Sequence, residues 1–278
     1  MNTSKIFFIT GASSGFGRAI AQSAAAAGHR VVGTLRNEDA RQAFEALAPG
    51  RTFGRLLDVT EAGSPARVVD EVESAVGAID VLVNNAGYGH EGAIEESTLD
   101  DLRRQLDVNL YGAVAVLHAV LPHMRRRRAG RIVNITSMGG FITLPGLGFY
   151  HASKFALEAI SETLGKEVAH LGIRVTAVEP GAFRTDWAGR SMVRTPRSIA
   201  DYDSVIDPWR ERRQGYSGRQ PGDPAKAAAA ILQLVARDTP PAHLLLGNDA
   251  VERVREKLAL LKGEIDAWES VSRSTDFS

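Results

Sequence analysis

Short apolar runs alternate with longer amphipathic stretches over most of the chain. The apolar, β-branched runs predict seven strands, at 5–10, 30–35, 55–59, the first half of 79–87, 131–137, 173–180 and 243–247. The stretches between them predict helices near 16–27, 38–47, 65–76, 99–124, 149–170 and 223–236. Strands that alternate with helices are typical of right-handed βαβ units, and several of these strands are apolar throughout. The pattern therefore predicts one α/β domain over residues 1–278, with a doubly wound parallel sheet of about seven strands and helices on both faces.

Two segments interrupt this alternation. Residues 182–222 form a long insertion rich in Arg, Gly and Pro, which is typical of a lid or a substrate-binding loop. The insertion holds two tryptophans and two tyrosines: Trp187, Tyr202, Trp209 and Tyr216. The C-terminal extension, residues 248–278, predicts one helix at about 249–262, then a second short helix and a polar end that frays.

Charge and composition narrow the class of partner. The 33 basic and 33 acidic side chains cancel, so no net field attracts nucleic acid or an anionic membrane. The basic run 125–128 falls at the end of a predicted helix, where cations complement the helix dipole. The chain has no cysteine, and its N-terminal apolar run is only IFFI, too short for a signal peptide or a membrane span. We therefore expect a cytoplasmic protein that binds a small molecule and neither nucleic acid nor membrane.

The sequence TGASSGFG, residues 10–17, directly follows the first predicted strand and opens the first helix. Glycines at these positions are typical of a Rossmann-type dinucleotide-binding loop, although an ordinary turn is the alternative. One glycine permits a tight turn, one lets backbone approach a pyrophosphate, and one lets helix and strand pack closely. The helix N-terminus then offers free N–H groups to the phosphates. The loop residues expected to contact the nucleotide are Gly11, Ser13, Ser14, Gly15, Phe16 and Gly17.

The end of the second strand indicates which dinucleotide binds. An NAD site usually has Asp or Glu there, about 20 residues after the glycines, to hold the ribose 2′-hydroxyl. Here Leu35 occupies that region and Arg36 follows it. A guanidinium suits a 2′-phosphate, so we expect NADP(H) rather than NAD(H). In the alternative, Arg36 is solvated and Glu38 is a slightly displaced ribose acid.

Two further strand ends add candidate nucleotide contacts. Asp58 and Val59 end the third predicted strand, and the motif NNAG follows the fourth with Asn85, Ala86 and Gly87. Ligands bind outside the carboxyl ends of the strands in an open α/β sheet. We therefore expect Asp58 and Val59 near the adenine and the NNAG residues beside the cofactor.

The stretch YHASKFALEAI, residues 150–160, places Tyr150 and Lys154 four residues apart on one face of a helix. Taken alone, the pair is explained as well by two surface side chains without a role. The motifs before and after it decide the interpretation.

The chain resembles the short-chain dehydrogenase/reductase family over residues 4–247. Six motifs match in order: TGASSGFG, NNAG, DVNLYG, NITS, YHASK and EPG. Ser137 ends NITS, thirteen residues before Tyr150, and Asn109 lies in DVNLYG. The TGxxxGxG spacing is similar to the dehydrogenase branch, and the TLRN ending of the second strand with the C-terminal extension resembles hydroxysteroid and retinol dehydrogenase-like members. The resemblance implies a nicotinamide-dependent oxidoreductase on a Rossmann-type sheet.

The resemblance also implies a catalytic tetrad of Asn109, Ser137, Tyr150 and Lys154. Tyr150 is expected to be the general acid/base, with a pKa lowered from about 10 by Lys154 and by oxidised nicotinamide. Lys154 is expected to bind the nicotinamide ribose, and Ser137 to orient the substrate oxygen. Asn109 is expected to bind a water of a proton relay to Lys154. The alternatives are a local kink or cap for Asn109 and a solvated turn for Ser137.

The motif EPGAFRTD, residues 179–186, is expected to close over the nicotinamide. Pro180 and Gly181 shape its turn, Phe183 is expected to contact the cofactor, and Thr185 to bond the carboxamide. The sequence shows no His, Asp and Glu cluster with metal-ligand spacing, so no metal is expected.

Candidate substrate contacts are mainly apolar. They are His90, Met138, Phe141, Leu144, Leu147 and Trp187, with Ile142 and Phe149 as further pocket walls. His90 follows NNAG and is expected at the substrate mouth, whereas His151 is expected to be an exposed helix residue.

Together these features predict an NADP-dependent alcohol dehydrogenase or carbonyl reductase acting on a hydrophobic secondary alcohol or ketone. Two alternatives stay open. One is a non-enzymatic NADP-sensing regulator, and the other is a 3-oxoacyl thioester reductase that docks its acyl carrier through Arg190, Arg194 and Arg197. Family members are commonly homodimers or homotetramers joined through the helices around 99–124 and 149–170, and we expect one of these assemblies here.

Overall fold

The computed structural model describes residues 4–277, so residues 1–3 and 278 of the predicted domain lie outside it. A parallel sheet with the strand order β3-β2-β1-β4-β6-β7-β9 forms its centre. The strands formed by the described residues are β1 (Ile6–Ile9), β2 (Arg30–Leu35), β3 (Thr52–Leu56), β4 (Val81–Asn84), β5 (Gly89–Glu91), β6 (Gly130–Ile135), β7 (Ile173–Pro180), β8 (Met192–Arg194) and β9 (His243–Leu246). The predicted doubly wound α/β fold is confirmed.

Helices cover both faces of this sheet. They are α1 (Gly15–Ala26), α2 (Glu38–Glu45), α3 (Ser64–Ala75), α4 (Leu99–Leu106), α5 (Gly112–Arg127), α6 (Gly148–Val168), α7 (Asp203–Tyr216), α8 (Pro224–Val235) and α9 (Asn248–Arg273). Side chains of α1, α2 and α8 share one buried apolar cluster with the sheet, and those of α3, α5 and α6 share the other. No helix formed by residues 4–277 is long and apolar enough to cross a membrane.

The first strand shows why these strands are apolar throughout. Phe7 and Phe8 are neighbours in β1 and therefore point to opposite faces of the sheet. Both are fully buried, Phe7 in the α1 and α8 cluster and Phe8 in the α3 and α5 cluster. A strand with helices on both faces buries every side chain, so alternation of polar and apolar residues disappears.

The order of the strands places a crevice at the end of β1. Ile9 pairs with Gly33 of β2 on one side and with Val83 of β4 on the other. The strand order therefore proceeds in opposite directions on the two sides of β1. In such sheets, ligands bind at the point where the strand order reverses. The glycine-rich loop and the NNAG loop both leave the sheet at this crevice.

The structure departs from the predicted elements in three places. Residues 182–222 contain a strand, β8, and a helix, α7, and β8 pairs with β5 as a small parallel sheet. Both strands are only three residues long, too short for a period to show in the sequence.

The C-terminal extension forms one helix to Arg273 instead of two. Gly263 lies inside that helix because an exposed glycine costs a helix only about 1 kcal/mol. The third strand ends at Leu56, earlier than predicted.

Candidate active site

One large cavity opens at the carboxyl ends of the central strands. Its volume is about 1160 Å³, above the roughly 300–1,000 Å³ of a typical small-ligand pocket. The predicted site residues that line it are Gly11, Ser13, Ser14, Gly15, Phe16, Arg36, Asp58, Val59, Asn85, Ala86, Gly87, His90, Ser137, Met138, Ile142, Leu144, Leu147, Tyr150, Lys154, Pro180, Gly181, Phe183, Thr185 and Trp187. Gly17, Asn109, Phe141 and Phe149 lie outside its wall.

The glycine-rich loop presses against the end of β4. Gly11 has a φ of +67°, and a Cβ on Gly17 would lie 2.4 Å from the Gly11 carbonyl oxygen and 2.6 Å from Asn85 Nδ2. Asn85 Nδ2 donates to the carbonyl oxygens of Thr10 and Gly11, each at 2.9 Å. The loop therefore has no room for side chains at these glycines, and its shape fits a pyrophosphate at the N-terminus of α1. Asn85 holds the loop in this shape with its own amide nitrogen.

The end of β2 offers a guanidinium to the cavity. Arg36 is exposed and lines the cavity beside Asn37, whose side chain begins α2 by accepting the Ala40 N–H at 2.8 Å. Glu38, the alternative ribose acid, lies outside the cavity wall and accepts from Arg41 Nη2 at 2.5 Å and Nε at 2.8 Å. Glu38 is therefore engaged on its own helix and does not face the nucleotide.

The third strand end places Asp58 beside the same part of the cavity. Asp58 Oδ1 accepts from the Thr60 backbone N–H at 2.9 Å and from the Thr60 hydroxyl at 2.7 Å. These hydrogen bonds lower the pKa of Asp58, so it remains an ionised acceptor. Next to it, Val59 is backed by Gly112, where an added Cβ would lie 2.5 Å from Val59 Cγ2. The start of α5 thus holds Val59 in place, in the part of the cavity wall that is expected to contact the adenine.

Tyr150 and Lys154 lie one turn apart near the start of α6, and both are buried. Lys154 Nζ lies 5.9 Å from the centre of the Tyr150 ring and donates to the Ile135 carbonyl oxygen at 2.9 Å. Burial raises the pKa of Tyr150 to about 12, opposed by a hydrogen bond with Ser137. Burial also lowers the pKa of Lys154 to about 8, opposed by the charge of Glu158. The family resemblance implies a lowered Tyr150 pKa. In the protein without nucleotide, burial raises this pKa by more than the hydrogen bond with Ser137 lowers it.

Asn109 lies in a π-helical segment, Asp107–Tyr111, that joins α4 to α5. Its Nδ2 donates to the Tyr88 carbonyl oxygen at 3.0 Å and to Ser153 Oγ at 3.1 Å, and its Oδ1 accepts the Tyr88 N–H at 3.0 Å. Such segments occur often at functional sites. The π-helical segment brings the Asn109 amide against α6 at the residue before Lys154, and the water that Asn109 is expected to bind stays a prediction.

His151 is buried, contrary to the expectation that it is exposed. Its Nε2 accepts the Leu144 N–H at 2.9 Å, so Nδ1 carries the proton and donates to the Gly139 carbonyl oxygen at 2.9 Å. The Gly139 N–H in turn donates to Ser137 Oγ at 2.9 Å. His151 therefore fixes the loop that carries Ser137. Helical spacing alone does not show that this loop covers the His151 side of the helix.

The segment after β7 lies over the glycine-rich loop. The ring of Phe183 packs on that of Phe16 with centres 5.0 Å apart, and a Cβ on Gly15 would lie 3.6 Å from Thr185 Cβ. Asp249 of α9 holds this segment, because its Oδ2 accepts the Ala182 N–H at 2.8 Å. Sequence reasoning missed Asp249, which belongs to no motif and lies 67 residues from its partner.

Apolar side chains surround Tyr150 on the substrate side. Leu147, Tyr150 and Met192 form a small buried cluster, against which Leu144 and Trp187 pack. The rings of Tyr150 and Trp187 have centres 5.0 Å apart. The phenol therefore lies against apolar side chains in the wall of the cavity that the glycine-rich loop also lines.

Two other predicted substrate contacts have different surroundings. His90 is buried in the cavity wall, with Nε2 3.0 Å from Thr195 Oγ1 and its ring stacked on Phe149 at 5.3 Å. Burial lowers the pKa of His90, which favours the neutral ring. Phe141 lies outside the cavity, because its ring packs against His243 with centres 5.5 Å apart. Phe141 is therefore corrected from a pocket wall to a packing residue between α6 and β9.

Ion pairs fasten the inserted segment to the body of the protein. Glu91 of β5 is fully buried and faces Arg194 Nε at 3.0 Å, Arg210 Nε at 3.2 Å and Arg213 Nη2 at 3.2 Å. One carboxylate thus orders three cationic side chains of residues 182–222. Arg213 also lines the cavity. The inserted segment, which the sequence predicts to be a lid, is therefore held closely against β5.

The fold assembles a cluster that the sequence spacing did not indicate. Glu158, Glu179 and His243 place one ligand-type atom each within 4.8 Å of one another. Burial raises the pKa of Glu158 to about 7 and that of Glu179 to about 9. The three residues lie far apart in the sequence, so the expectation that no such cluster exists is corrected by the fold.

Comparison with known proteins gives the family. A family model described as short chain dehydrogenase matches residues 5–193. The chain is 38% identical over 269 residues to Oxidoreductase BOA17 of Botryotinia fuckeliana, covering 96% of this chain and 98% of that protein. It is 39% identical over 253 residues to a 3-ketodihydrosphingosine reductase of Bacteroides thetaiotaomicron, covering 87% and 88%. The chain belongs to the short-chain dehydrogenase family and is an oxidoreductase of that family.

Solved structures agree with this assignment. A short-chain dehydrogenase from Streptomyces avermitilis has a TM-score of 0.92 and 43% identity, covering 99% of this chain and 100% of that one. A Burkholderia phymatum short chain dehydrogenase/reductase in complex with NAD has a TM-score of 0.80 at 26% identity, covering 93% and 95%. A serine dehydrogenase complexed with NADP+ has a TM-score of 0.75 at 25% identity, covering 87% and 94%. Structural neighbours thus hold either nucleotide.

Human retinol dehydrogenase 5 is 42% identical over 181 residues, covering 64% of this chain and 56% of that protein, in keeping with the predicted branch.

Proposed function

We propose that the protein is an NADP(H)-dependent alcohol dehydrogenase or carbonyl reductase that acts on a hydrophobic secondary alcohol or ketone. The observation that carries the proposal is the position of Tyr150. Its ring lies against Leu147, Met192 and Trp187, one helical turn from Lys154, in the wall of the cavity that the glycine-rich loop also lines. This arrangement favours a substrate with apolar groups beside its reacting carbon. The Bacteroides relative, which is named for the reduction of a keto compound, supports the same reaction class.

Tyr150, Ser137 and Lys154 each have a role in the proposed reaction. When bound, nicotinamide supplies or accepts the hydride at the substrate carbon. In the reductive direction, Tyr150 donates its phenolic proton to the carbonyl oxygen, so that the C=O group becomes an alcohol. Ser137 binds the same oxygen and stabilises the charge that develops on it. Lys154, charged below its pKa of about 8, stabilises the resulting phenolate and holds the ribose.

Arg36 supports NADP(H) over NAD(H). It lies exposed in the cavity wall at the end of β2, where the 2′ substituent of a bound ribose is expected. The competing acid, Glu38, is bonded to Arg41. A free guanidinium beside an engaged carboxylate favours a 2′-phosphate over a 2′-hydroxyl.

The proposal is tested by NADPH consumption against ketones, steroids, aldehydes and 3-oxoacyl thioesters. We expect turnover of a hydrophobic ketone, and Tyr150→Phe to lower it by about 10²- to 10⁴-fold because the proton donor is lost. Tyr202→Phe is the matched control, since the Tyr202 hydroxyl bonds Glu95 at 2.5 Å and lies outside the cavity. Bound NADPH without turnover of any substrate would instead support an NADP-sensing regulator.

The acyl-carrier alternative loses the basic surface on which it depended. Arg190 pairs with Asp186 at 2.6 Å, and Arg194 pairs with Glu91 at 3.0 Å. Arg197 pairs with Asp203, Asp207 and Glu96. Because carboxylates already engage all three arginines, they are poorly placed to bind an acidic carrier protein. We therefore expect carrier-bound 3-oxoacyl thioesters to be poor substrates.

We also infer a cytoplasmic homodimer or homotetramer that joins through the helices around 99–124 and 149–170. Exposed apolar side chains on these helices support it: Tyr111 is 60% exposed, Phe155 41% and Ile160 38%. Light scattering coupled to gel filtration tests the assembly, and a monomer at micromolar concentration would contradict it.

A further inference from the structure

Three side chains from three elements meet behind the catalytic helix. Glu158 comes from α6, Glu179 from the end of β7 and His243 from the start of β9. The register that pairs β7 with β9 aligns Ala177 with His243, so Glu179 and His243 come together at the sheet edge under α6. His243 Nδ1 lies 2.8 Å from Glu179 Oε1 and 3.6 Å from Glu158 Oε2. None of the three lines the large cavity, so the cluster is separate from the proposed active site.

The carboxylates of this cluster have unused hydrogen-bonding capacity. Glu158 is 5% exposed and Glu179 is fully buried. Within residues 4–277, neither carboxylate oxygen of Glu158 accepts a hydrogen bond, because the neighbouring Thr136 hydroxyl donates to the Val178 carbonyl oxygen at 2.9 Å. Oε2 of Glu179 has no partner among these residues either. Burying polar atoms without partners destabilises the folded state. Oxygens of this kind are free to bind a cation, which would displace any proton that the buried acids hold.

The nearest cation on the same helix does not fill this role. Lys154 lies one turn before Glu158, but its Nζ donates to the Ile135 carbonyl oxygen at 2.9 Å. Among the described residues, Glu158 forms an ion pair within 4.0 Å only with His243. One imidazole shared by two carboxyl groups therefore leaves the other oxygens of the cluster without a partner among the described residues.

We propose that Glu158, Glu179 and His243 bind a divalent transition-metal cation of the zinc type. One imidazole nitrogen with two carboxylate oxygens is a donor set that suits Zn²⁺, whereas Mg²⁺ and Ca²⁺ prefer oxygen donors alone. Metal–ligand bonds of about 2.0–2.2 Å place neighbouring ligand atoms roughly 3–4 Å apart. The separations of 2.8 and 3.6 Å from His243 Nδ1 are close to that spacing.

A fourth residue supports the geometry of the histidine. Nε2 of His243 lies 3.6 Å from Glu162 Oε1, on the opposite side of the ring from the two buried acids. Ligating histidines characteristically direct their second ring nitrogen to a carboxylate, which fixes the tautomer and the ring orientation. The His243 side chain is 34% exposed whereas Glu158 and Glu179 are buried, so the cluster lies just beneath the surface at the edge of the sheet.

The bound cation would join the edge strand β9 to β7 and α6. It would thus stabilise the folded protein by binding to a site that the unfolded chain lacks. This role does not depend on the reductase proposal. It is measured without substrate or nucleotide.

The test uses the full chain after EDTA treatment and removal of the chelator at pH 7.5. Isothermal titration with ZnCl₂, and metal analysis after dialysis, are expected to give one Zn²⁺ per chain. Zn²⁺ is also expected to raise the midpoint of thermal unfolding, and MgCl₂ to do neither. If the wild-type chain retained no zinc, or bound Mg²⁺ equally well, the proposal would be overturned.

Isosteric variants assign the site. His243→Gln, Glu158→Gln and Glu179→Gln are each expected to lose the zinc equivalent and the thermal shift. Glu162→Gln is expected to keep one equivalent of zinc but to bind it about 10- to 100-fold more weakly, as is typical when a carboxylate that bonds a ligating histidine is removed.

The matched control is His123→Gln. His123 also lies near two carboxylates, at 3.0 Å from Asp70 and 3.5 Å from Glu73. Loss of zinc in His123→Gln, or full retention in His243→Gln, would place the ion elsewhere. Circular dichroism verifies the fold of each variant, and because three ligand variants are available, one that fails to fold leaves the other two to decide.

Discussion

The two halves of the cavity are built in different ways. The nucleotide half is shaped by backbone, since a Cβ on Gly17 would collide with the Gly11 carbonyl and with Asn85. The substrate half is shaped by side chains, from Trp187 packed on Tyr150 to Glu91 with its three arginines. Residues that face each other in the first half belong to short motifs. Glu91 and its arginines are 103 to 122 positions apart.

This difference indicates where the protein tolerates amino-acid substitutions. A cradle made of backbone works only if side chains are absent, so almost any substitution in it is harmful. A wall made of side chains can be rebuilt for another substrate while the sheet is unchanged. The nucleotide half therefore carries the motifs of the family, and we propose that the inserted segment is where the substrate is selected.

The largest expected effect is the loss of stability in Glu91→Gln, which disrupts the substrate half of the cavity. Three partly buried guanidinium groups would lose their carboxylate, and such a loss typically costs about 3–5 kcal/mol. Urea unfolding measures the stability, and the KM of the substrate should rise while NADPH affinity changes little. Glu95→Gln, an exposed acid on the same segment, is the control and should cost no more than about 1 kcal/mol. Equal stability of the two variants would contradict the fastening role of Glu91.

Gly17→Ala tests the backbone half. The added Cβ would lie 2.4 Å from a carbonyl oxygen, so we expect a loss of about 1–3 kcal/mol from overpacking, and a marked loss of NADPH affinity. The matched change is Gly215→Ala in α7, where an added Cβ has no atom within 4 Å. It should leave NADPH binding intact and, by helix propensity, stabilise by up to about 1 kcal/mol. Thermal unfolding and fluorescence titration with NADPH separate the two. Similar behaviour of both variants would refute the steric argument.

Arg36→Leu tests the cofactor preference within the backbone half. One charge-assisted hydrogen bond to a phosphate contributes about 1.5–3 kcal/mol, so we expect NADPH to bind about 10- to 100-fold more weakly. NADH affinity should stay within about twofold, since NADH lacks the 2′-phosphate. Arg41→Leu is the control, because Arg41 is occupied by Glu38 and Glu45. Unchanged NADPH affinity in Arg36→Leu would mean that the phosphate assignment is wrong.

The smallest effect is a pH dependence at the junction of the two halves. The pKa of Lys154 is lowered to about 8 by burial, so its ammonium is present below that pH and is lost above it. Tyr150, with a pKa raised to about 12, remains protonated throughout this range. We therefore expect kcat/KM for ketone reduction to be level below pH 8 and to fall about tenfold per unit above it. A level profile from pH 7 to 10 would show that Lys154 does not need its charge.

Much of the fold and of the candidate site could be predicted because it depends on local sequence. Each βα unit shows its own apolar period, and the glycine-rich loop, NNAG and YHASK each form within one connection or one helix. The alternation of strands and helices then brings the strand ends to one edge, and the predicted nucleotide contacts meet there. This part of the prediction needed no knowledge of distant pairs.

The burial of individual side chains could not be predicted in the same way. His151 is next to Tyr150 and appears exposed by helical spacing, but the loop 138–144 covers it. Phe141 is an apolar residue of that loop, and only the position of β9 shows that it packs on His243. Periodicity describes one element at a time, whereas burial depends on what packs against that element.

By itself, then, the sequence determined the doubly wound sheet, the nucleotide cradle and the order of the tetrad motifs, because each follows from contacts between residues that are close along the chain. The tertiary structure alone decided three features: the fastening of the lid by Glu91, the hold of Asp249 on the segment after β7, and the meeting of Glu158, Glu179 and His243. These depend on side chains from separate elements, up to about a hundred residues apart in sequence. Their charges and distances become defined only when the sheet and its helices have packed.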